Sequence, residues 1–139
     1  MELANKKFLG IDYGQKKIGL ALADSTTKIA TPYKIIANDS VLFGKLRDIC
    51  KQEGIGRIII GVPLGLKGIK SKQYEEVLNF ISQLEKEIQI AIEQQDENLS
   101  SRYAQSLLQE TKAKGQDDAV AAMIILQSYL DERGRGESE

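Results

Sequence analysis

Residues 8–24, with the sequence FLGIDYGQKKIGLALAD, contain the two apolar segments on which the fold prediction depends. Residues 8–13 form a short apolar stretch that enters a turn at 14–16, and residues 17–24 alternate in the manner of a second strand. A third strand is predicted at 28–37, where a proline indicates an edge position or a bulge. These three strands are expected to form an antiparallel meander.

The remaining elements alternate between helices and strands. Residues 57–62, RIIIGV, are an unbroken apolar run of the kind found in parallel strands that are covered on both faces. Periodicity predicts helices at 39–53, 71–87, 100–110 and 117–131, and one further strand at 88–93. The candidate helix caps are Asp39 or Ser40, Ser100 and Asp117.

The order βββαβαβαα predicts the α/β class. Because strand–helix–strand connections are right-handed, we expect a five-stranded mixed sheet in the order 3-2-1-4-5, with strand 1 central and helices on both faces. We expect one domain over residues 1–131 and a disordered tail at 132–139. The carboxyl ends of strands 1, 4 and 5 then share one edge, which is where ligands bind in open α/β sheets.

Composition limits the classes of function that this chain can have. The 139 residues carry 19 basic and 20 acidic side chains, so any binding to nucleic acid must come from local basic patches. The single cysteine, Cys50, the lack of a secretory signal and the lack of an apolar run of ~18 residues predict a cytoplasmic protein without membrane association. The absence of histidine excludes Ser-His and Cys-His catalysis and every His-ligated metal site.

Acidic residues stand at three predicted element ends. Asp12 lies inside an apolar strand, where a carboxylate is costly to bury unless it is paired or metal-bound. Glu97 follows the fifth strand, and Asp118 opens the last helix. Each alone has a structural interpretation, since acidic residues commonly begin hairpins, cap helices or stabilise helix N-termini.

The predicted topology can bring these carboxylates to one edge of the sheet. Crowded carboxylates repel one another unless a cation neutralises them, and oxygen donors without histidine match Mg²⁺ or Mn²⁺. Such a site hydrolyses phosphodiesters, with metal-activated water and a stabilised leaving oxygen. We therefore predict that Asp12, Glu97 and Asp118 are the catalytic and metal-binding residues, with Asp96 and Asp117 as outer or structural partners.

Basic residues border the predicted acidic edge, and Lys72, Lys112 and Lys114 are among them. Each of them has solvated surface as its default interpretation, but as a set they are typical of phosphate contacts. The candidate nucleic-acid-binding residues are Lys16, Lys17, Lys67, Lys70 and Arg102.

Several motifs together resemble the YqgF family of Holliday-junction-resolvase-like proteins, also called pre-16S rRNA nucleases. The matching segments, in order, are LGIDYG at 9–14, IGLA at 18–21, IIIGVPL at 58–64, DENLS at 96–100 and residues 118–129. The resemblance covers residues 8–131. It implies a ribonuclease H-like fold, a divalent metal, and a nuclease that matures the 5′ end of small-subunit ribosomal RNA. The acidic residues of the family fall on Asp12, Glu97 and Asp118.

Four positions depart from the family pattern. Asn98 stands where the family usually has arginine, which puts substrate orientation in question more than metal binding. Gly65 and Lys67 stand where asparagine and aspartate are common, and Asp117 stands where an apolar residue is common. None of these departures removes a predicted catalytic carboxylate.

Three alternatives stay open at the level of sequence. The chain could resolve Holliday junctions, which would require two active sites and hence a homodimer, or it could bind branched nucleic acid without cleaving it. It could also be a nucleotide binder of the actin and sugar-kinase type, which shares an Asp-x-Gly first strand. That type builds its cleft from two such domains, whereas 139 residues provide one.

Overall fold

The computed structural model describes residues 6–64, 72–115 and 117–136. Nine elements follow in chain order: β1 (Lys7–Asp12), β2 (Lys17–Asp24), β3 (Ala30–Ala37), α1 (Leu42–Glu53), β4 (Ile55–Val62), α2 (Lys72–Glu87), β5 (Ala91–Asp96), α3 (Arg102–Ala113) and α4 (Asp118–Gly136). The strands form one mixed sheet in the order β3-β2-β1-β4-β5, which confirms the predicted order and the central position of β1.

The register of the sheet fixes where each strand ends. β1 pairs antiparallel with β2, which places Asp12 opposite Gly19, and it pairs parallel with β4. β4 pairs parallel with β5, and Val62 lies opposite Asp96. β3 is an edge strand whose register against β2 shifts next to Pro32, so the predicted edge position and the predicted bulge are both confirmed.

Helices cover both faces of the sheet, as predicted. Because side chains alternate along a strand, Leu9 and Ile11 of β1 face α1 and α2, whereas Phe8 packs with α4 on the other face. The α4 face is rich in small residues, and α3 packs on the outer side of α4. The short side chains let α4 lie close to the sheet, which positions the start of that helix at the carboxyl end of β1.

Three sequence-based predictions are corrected by the structure. The fifth strand lies at Ala91–Asp96 and not at 88–93, because the chain up to Ile88 completes the end of α2, where the Ile88 N–H donates to the carbonyl of Leu84. The N-cap of α1 is Val41, without a side-chain cap, and the side chain of Asp39 instead accepts a hydrogen bond from the N–H of Val41. The cap of α3 is Ser101 and not Ser100.

The structure extends α4 to Gly136, so residues 132–136, which the sequence analysis assigned to the tail, lie in this helix. Polar contacts hold this last part of the helix. Glu132 accepts hydrogen bonds from Gln95 and Ser100, and Arg133 forms an ion pair with Glu93. Residues 137–139 lie outside the described part of the chain. Among the helices that the structure describes, none is both long enough and apolar enough to cross a membrane.

Candidate active site

Asp12 is the last residue of β1, and its carboxyl group is buried in the interior of the fold. Only 5% of the residue is exposed. Burial raises the pKa of Asp12 from 3.8 to about 6. Lys112 acts in the opposite direction, while the negative charges of Glu97 and Asp118 raise the pKa further. The predicted buried carboxylate on the central strand is therefore present, and two other carboxylates are close enough to act on it.

Glu97 directly follows β5 and lies beside the end of β4. Its backbone N–H donates to the carbonyl of Val62 at 3.0 Å, which fixes the start of the loop against the neighbouring strand. A Cβ atom built on Gly61 would lie 2.9 Å from Oε2 of Glu97. The missing side chain at Gly61 thus leaves the space that the Glu97 carboxylate occupies.

Asp118 is the first residue of α4 and lies over the start of β2. A Cβ atom built on Gly19 would lie 2.0 Å from the carbonyl oxygen of Asp118, a distance that no side chain tolerates. Because Gly19 pairs with Asp12, this close approach brings the start of α4 to the end of β1. Asp117 has the structural role predicted for it, since its carboxylate accepts from the N–H of Ala119 at 2.9 Å. We call Asp12, Glu97 and Asp118 the acidic edge.

Lys112 of α3 places its ammonium group between two of these carboxylates. Its Nζ lies 2.9 Å from Oδ1 of Asp12 and 3.3 Å from Oε1 of Glu97, so the two oxygens are separated by no more than the sum of these distances. Burial acts to lower the pKa of Lys112, but the two carboxylates outweigh it and the pKa is raised. The ammonium group is therefore charged and neutralises part of the acidic edge.

From the sequence, Lys112 was interpreted as one of several lysines that could contact phosphate, and its pairing with the carboxylates was not predicted. One signal for it existed: Lys112 follows Leu108 by four residues and therefore lies on the same face of α3, which is the buried face. A lysine on the buried face of a helix is costly unless an acidic partner meets it. The sequence carried that hint, but it did not show which carboxylates Lys112 would contact.

The acidic edge has the donor chemistry of a site for a hard divalent cation. Within residues 6–64, 72–115 and 117–136, no group of three or more acidic, histidine or cysteine side chains is arranged to hold a metal ion as it stands. The position between Asp12 and Glu97 is instead taken by the ammonium group of Lys112, which stands in for a cation. Carboxylate oxygens that already share one positive charge are suitable ligands for Mg²⁺ or Mn²⁺.

The other predicted site residues lie in different surroundings. Lys17 approaches Asp118, with its Nζ 3.9 Å from Oδ2. Lys16 is exposed and, together with Tyr13, lines a cleft of about 520 Å³. Arg102 is exposed on the first turn of α3. The remaining two predicted nucleic-acid-binding residues, Lys67 and Lys70, lie outside the described residues, as does the departure at Gly65.

Two polar residues next to Glu97 have structural roles. Asp96 accepts a hydrogen bond from the backbone N–H of Asn98 at 2.8 Å, which shapes the loop after β5. The side-chain amide of Asn98 donates to the carbonyl of Leu64 at 2.7 Å. Asn98, which replaces the usual arginine, therefore ties the loop after β5 to the loop after β4. Both loops border a cleft of about 210 Å³ that also contains Lys112.

The sheet order, the helices on both faces and the carboxylates at the ends of β1 and β5 are those of a ribonuclease H-like fold. Solved structures support this class. The T. thermophilus RuvC in complex with Holliday junction substrate superposes with a TM-score of 0.58 at 10% identity, covering 93% of this chain and 96% of RuvC.

The chain belongs to the RuvX family, which confirms the resemblance found in the sequence. The family model, described as Holliday junction resolvase, matches residues 6–132. A relative from Sulfurihydrogenibium sp. (strain YO3AOP1) is 38% identical, with 90% of each chain covered. A relative from Anaplasma marginale (strain St. Maries) is 37% identical, with 96% of this chain and 90% of the relative covered. Both relatives are named "Putative pre-16S rRNA nuclease".

Proposed function

We propose that this chain is a metal-dependent nuclease that hydrolyses phosphodiester bonds in pre-16S rRNA, with Asp12, Glu97 and Asp118 as its catalytic residues. The observation that carries the proposal is the buried Asp12 carboxylate, which shares the Lys112 ammonium group with Glu97 and lies beside the start of α4. Burying a carboxylate costs free energy, and such buried carboxylates occur in functional sites, where they bind a cation or act on a substrate.

Each residue of the proposed site has a defined task. Asp12, Glu97 and Asp118 would hold Mg²⁺ or Mn²⁺, which when bound supplies activation of water and stabilisation of the leaving oxygen. Burial keeps Asp12 in one orientation, and the loop contact between Glu97 and Val62 does the same for Glu97. Lys16 and Lys17 follow Asp12 directly and would contact phosphates of the substrate backbone.

The substrate follows from the relatives, whose names specify pre-16S rRNA. The description of the RuvX family favours a second candidate, the four-way DNA junction. Both substrates present phosphodiesters to the same carboxylates, so the site chemistry is common to them. A junction resolvase needs two coordinated active sites, and therefore a dimer, whereas trimming of rRNA does not.

The decisive experiment compares the substitutions Asp12→Asn and Asp96→Asn. Both remove one negative charge with almost no change of volume, but only Asp12 belongs to the acidic edge. We expect Asp12→Asn to lower the rate of cleavage by at least ~10³-fold, which corresponds to about 4 kcal/mol of transition-state stabilisation. Asp96→Asn should cleave like the parent protein, because asparagine still accepts the hydrogen bond from Asn98.

Cleavage is measured over time with a labelled rRNA precursor fragment and with a synthetic four-way junction, each in Mg²⁺ and in Mn²⁺. Faster cleavage of the precursor supports rRNA maturation, and faster cleavage of the junction, together with a dimer in light scattering, supports the resolvase. Full activity in Asp12→Asn would reject the proposed site. Equal losses in both variants would show that charge near the edge matters in general, and not the Asp12 carboxylate.

A further inference from the structure

A second cluster of charge lies at the opposite end of the sheet from the acidic edge. Lys7 begins β1 and Asp12 ends it, so the two ends of the strand are roughly 17 Å apart at ~3.3 Å per residue. A cavity of about 320 Å³ opens near Lys7, between the start of β1, the start of β4 and the last turns of α4. No single phosphate group can contact both this cavity and Asp12.

The lining of this cavity is basic. Its charged side chains are all cationic among the residues that the structure describes, and they come from four different segments of the chain. We call this cavity the basic pole, and its principal residues are Lys6, Lys7, Lys28, Arg57, Arg133 and Tyr129. Such a concentration is notable in a chain whose formal net charge is -1.

One wall of the basic pole is held rigid by a polar network. Arg57 donates to the hydroxyl of Tyr129 at 2.9 Å and forms an ion pair with Glu93 at 3.1 Å. Tyr129 in turn donates to Glu93 at 3.0 Å and is 4% exposed. The guanidinium group of Arg133 lies over the ring of Tyr129, 5.5 Å from its centroid. Fixed guanidinium groups of this kind are suited to binding a phosphate, because they are ordered before the ligand arrives.

The other side of the cavity carries exposed ammonium groups. Lys7 is paired with Glu53 at 2.9 Å, but Lys6 and Lys28 form no ion pair within the part of the chain that the structure covers. The stem of Lys6 crosses directly over Gly56, where a Cβ atom would lie 2.8 Å from its Cβ. Lys28 adopts a φ of 60°, which turns the chain between β2 and β3 at this point.

Stabilisation of the fold explains only part of this arrangement. A cation near the C-terminus of a helix interacts well with the helix dipole, which accounts for Arg133. It does not account for Lys6, which precedes β1, or for Lys28, which lies in the loop before β3. Four separate segments thus bring cations to one cavity, although mutual repulsion of like charges opposes it.

We propose that the basic pole is a binding site for a phosphate group, separate from the site of cleavage. The volume of about 320 Å³ accommodates a small anion such as a diphosphate. Phosphate occurs both in free nucleotides and in the backbone of nucleic acid, and the charges on the cavity serve either source. The proposal does not depend on nuclease activity, so it is tested without metal.

The experiment compares two double substitutions in the full chain. Lys6→Gln with Lys28→Gln removes two charges from the basic pole. Lys45→Gln with Lys86→Gln is the matched control, because these exposed lysines lie on α1 and α2 across the sheet. Arg57 and Arg133 remain in both proteins, so the network around Tyr129 is preserved. Thermal melting checks that both variants fold.

The first probe is inorganic pyrophosphate, titrated into ¹⁵N-labelled protein in metal-free buffer. We expect saturable shifts of the side-chain Nε–H signals of Arg57 and Arg133. The Lys6→Gln, Lys28→Gln variant should bind about fivefold to tenfold more weakly, and the control should bind like the parent protein. Absence of saturable shifts at these arginines would overturn the proposal, and so would equal binding by the two variants.

The second probe, a short single-stranded RNA, identifies the source of the phosphate. If nucleic acid occupies the basic pole, the Lys6→Gln, Lys28→Gln variant should bind RNA more weakly than the control. The salt slope, which is the slope of the logarithm of the binding constant against the logarithm of the salt concentration, should fall in magnitude by about 1.4, because two phosphate contacts are lost. If only pyrophosphate binding weakens, the ligand is a free phosphate compound such as a nucleotide.

Discussion

The two ends of β1 lie in opposite electrostatic surroundings. At the carboxyl end, the buried Asp12 lies near the carboxylates of Glu97 and Asp118, and the ammonium group of Lys112 is packed against it. At the amino end, Lys7 borders an open cavity lined by cations. A formal net charge of -1 therefore conceals a strong separation of charge along the strands. For this fold, the distribution of charge is more informative about function than its sum.

The topology of the sheet produces this separation. β1, β4 and β5 are parallel, so their carboxyl ends gather at one edge and the amino ends of β1 and β4 meet at the other. The long helix α4 connects the two regions. It begins with Asp118 at the acidic edge and carries Arg133 near its other end, at the basic pole. Both placements agree with the dipole of the helix, which favours acids at its start and bases at its end.

The largest expected effect tests whether the close approach of α4 builds the acidic edge. In Gly19→Ala the new methyl group would meet the carbonyl oxygen of Asp118 at 2.0 Å, so the start of α4 must move. We expect a loss of about 3 kcal/mol in the free energy of unfolding, measured by urea denaturation, together with loss of cleavage. The matched control is Gly44→Ala, since nothing lies within 4 Å of a Cβ atom at that helical position.

Alanine at position 44 should stabilise the protein by up to ~1 kcal/mol, because alanine is the better helix former. Opposite signs for these two identical substitutions would locate the tight packing at the acidic edge. A neutral Gly19→Ala would contradict the close contact between β2 and α4.

A second prediction concerns the pH dependence of stability in the absence of metal. The pKa of Asp12 rises from 3.8 to about 6 on folding, so between these values the folded protein holds a proton that the unfolded chain has lost. Raising the pH through this window therefore destabilises the parent protein. Asp12→Asn does not titrate, so its stability relative to the parent should increase between pH 4 and pH 6, by at most about 3 kcal/mol.

The stability of both proteins is measured by urea denaturation at several pH values in the presence of a chelator. The pKa of about 6 already includes the opposing effect of Lys112, so the contact with Lys112 does not reduce this gain further. A difference in stability that stays constant from pH 4 to pH 6 would show that Asp12 ionises with its ordinary pKa, and it would contradict the effect of burial on this pKa.

A third prediction concerns the ammonium group between Asp12 and Glu97. If the proposed divalent metal binds Asp12 and Glu97, it must compete with Lys112, which contacts the same two carboxylates. Lys112→Gln should therefore bind Mn²⁺ about tenfold more tightly in calorimetry at neutral pH, a change of about 1.4 kcal/mol. Lys114→Gln is the control, since it removes the same charge from the exposed pair with Glu110.

Tighter Mn²⁺ binding in both variants would point to a general effect of charge. Unchanged binding in Lys112→Gln, combined with slower cleavage, would instead assign Lys112 to the substrate. Either result would reject competition between Lys112 and the metal.

The sequence predicted the sheet and much of the acidic edge for physical reasons that can be named. Apolar segments joined by short turns determine the meander, and right-handed crossover connections determine the rest of the order. Asp12 is recognisable as a candidate because a carboxylate in an apolar strand is costly to bury unless it is paired or metal-bound. The position of β5 was predicted three residues too early, because the apolar Ile88 and Ile90 satisfy strand alternation although Ile88 bonds back to the end of α2.

Other features depend on contacts between distant parts of the chain. Lys112 reaches Asp12 across 100 positions, and no local pattern specifies that distance. The last turns of α4 contact Glu93, Gln95 and Ser100. A local analysis of the charged, glycine-containing sequence at the end of the chain does not include these distant residues. The basic pole has the same origin, since its residues come from four separate segments that only the folded sheet brings together.

The smallest expected effect compares the two regions as phosphate contacts. Lys17 already interacts with Asp118 at 3.9 Å and is largely exposed, so its contribution to binding is moderated by this partner. Replacing Lys16 and Lys17 by alanine should weaken binding of a precursor rRNA fragment by about fivefold and reduce its salt slope by about 1 to 2, without a change in melting temperature. Binding is measured by fluorescence anisotropy over a range of salt concentrations.

The same variant should bind pyrophosphate like the parent protein, because these lysines lie at the other end of the sheet from the basic pole. If RNA affinity did not change, or if binding by the parent were independent of salt, Lys16 and Lys17 would be ordinary surface residues. If pyrophosphate binding weakened instead, the two regions would not be separate sites.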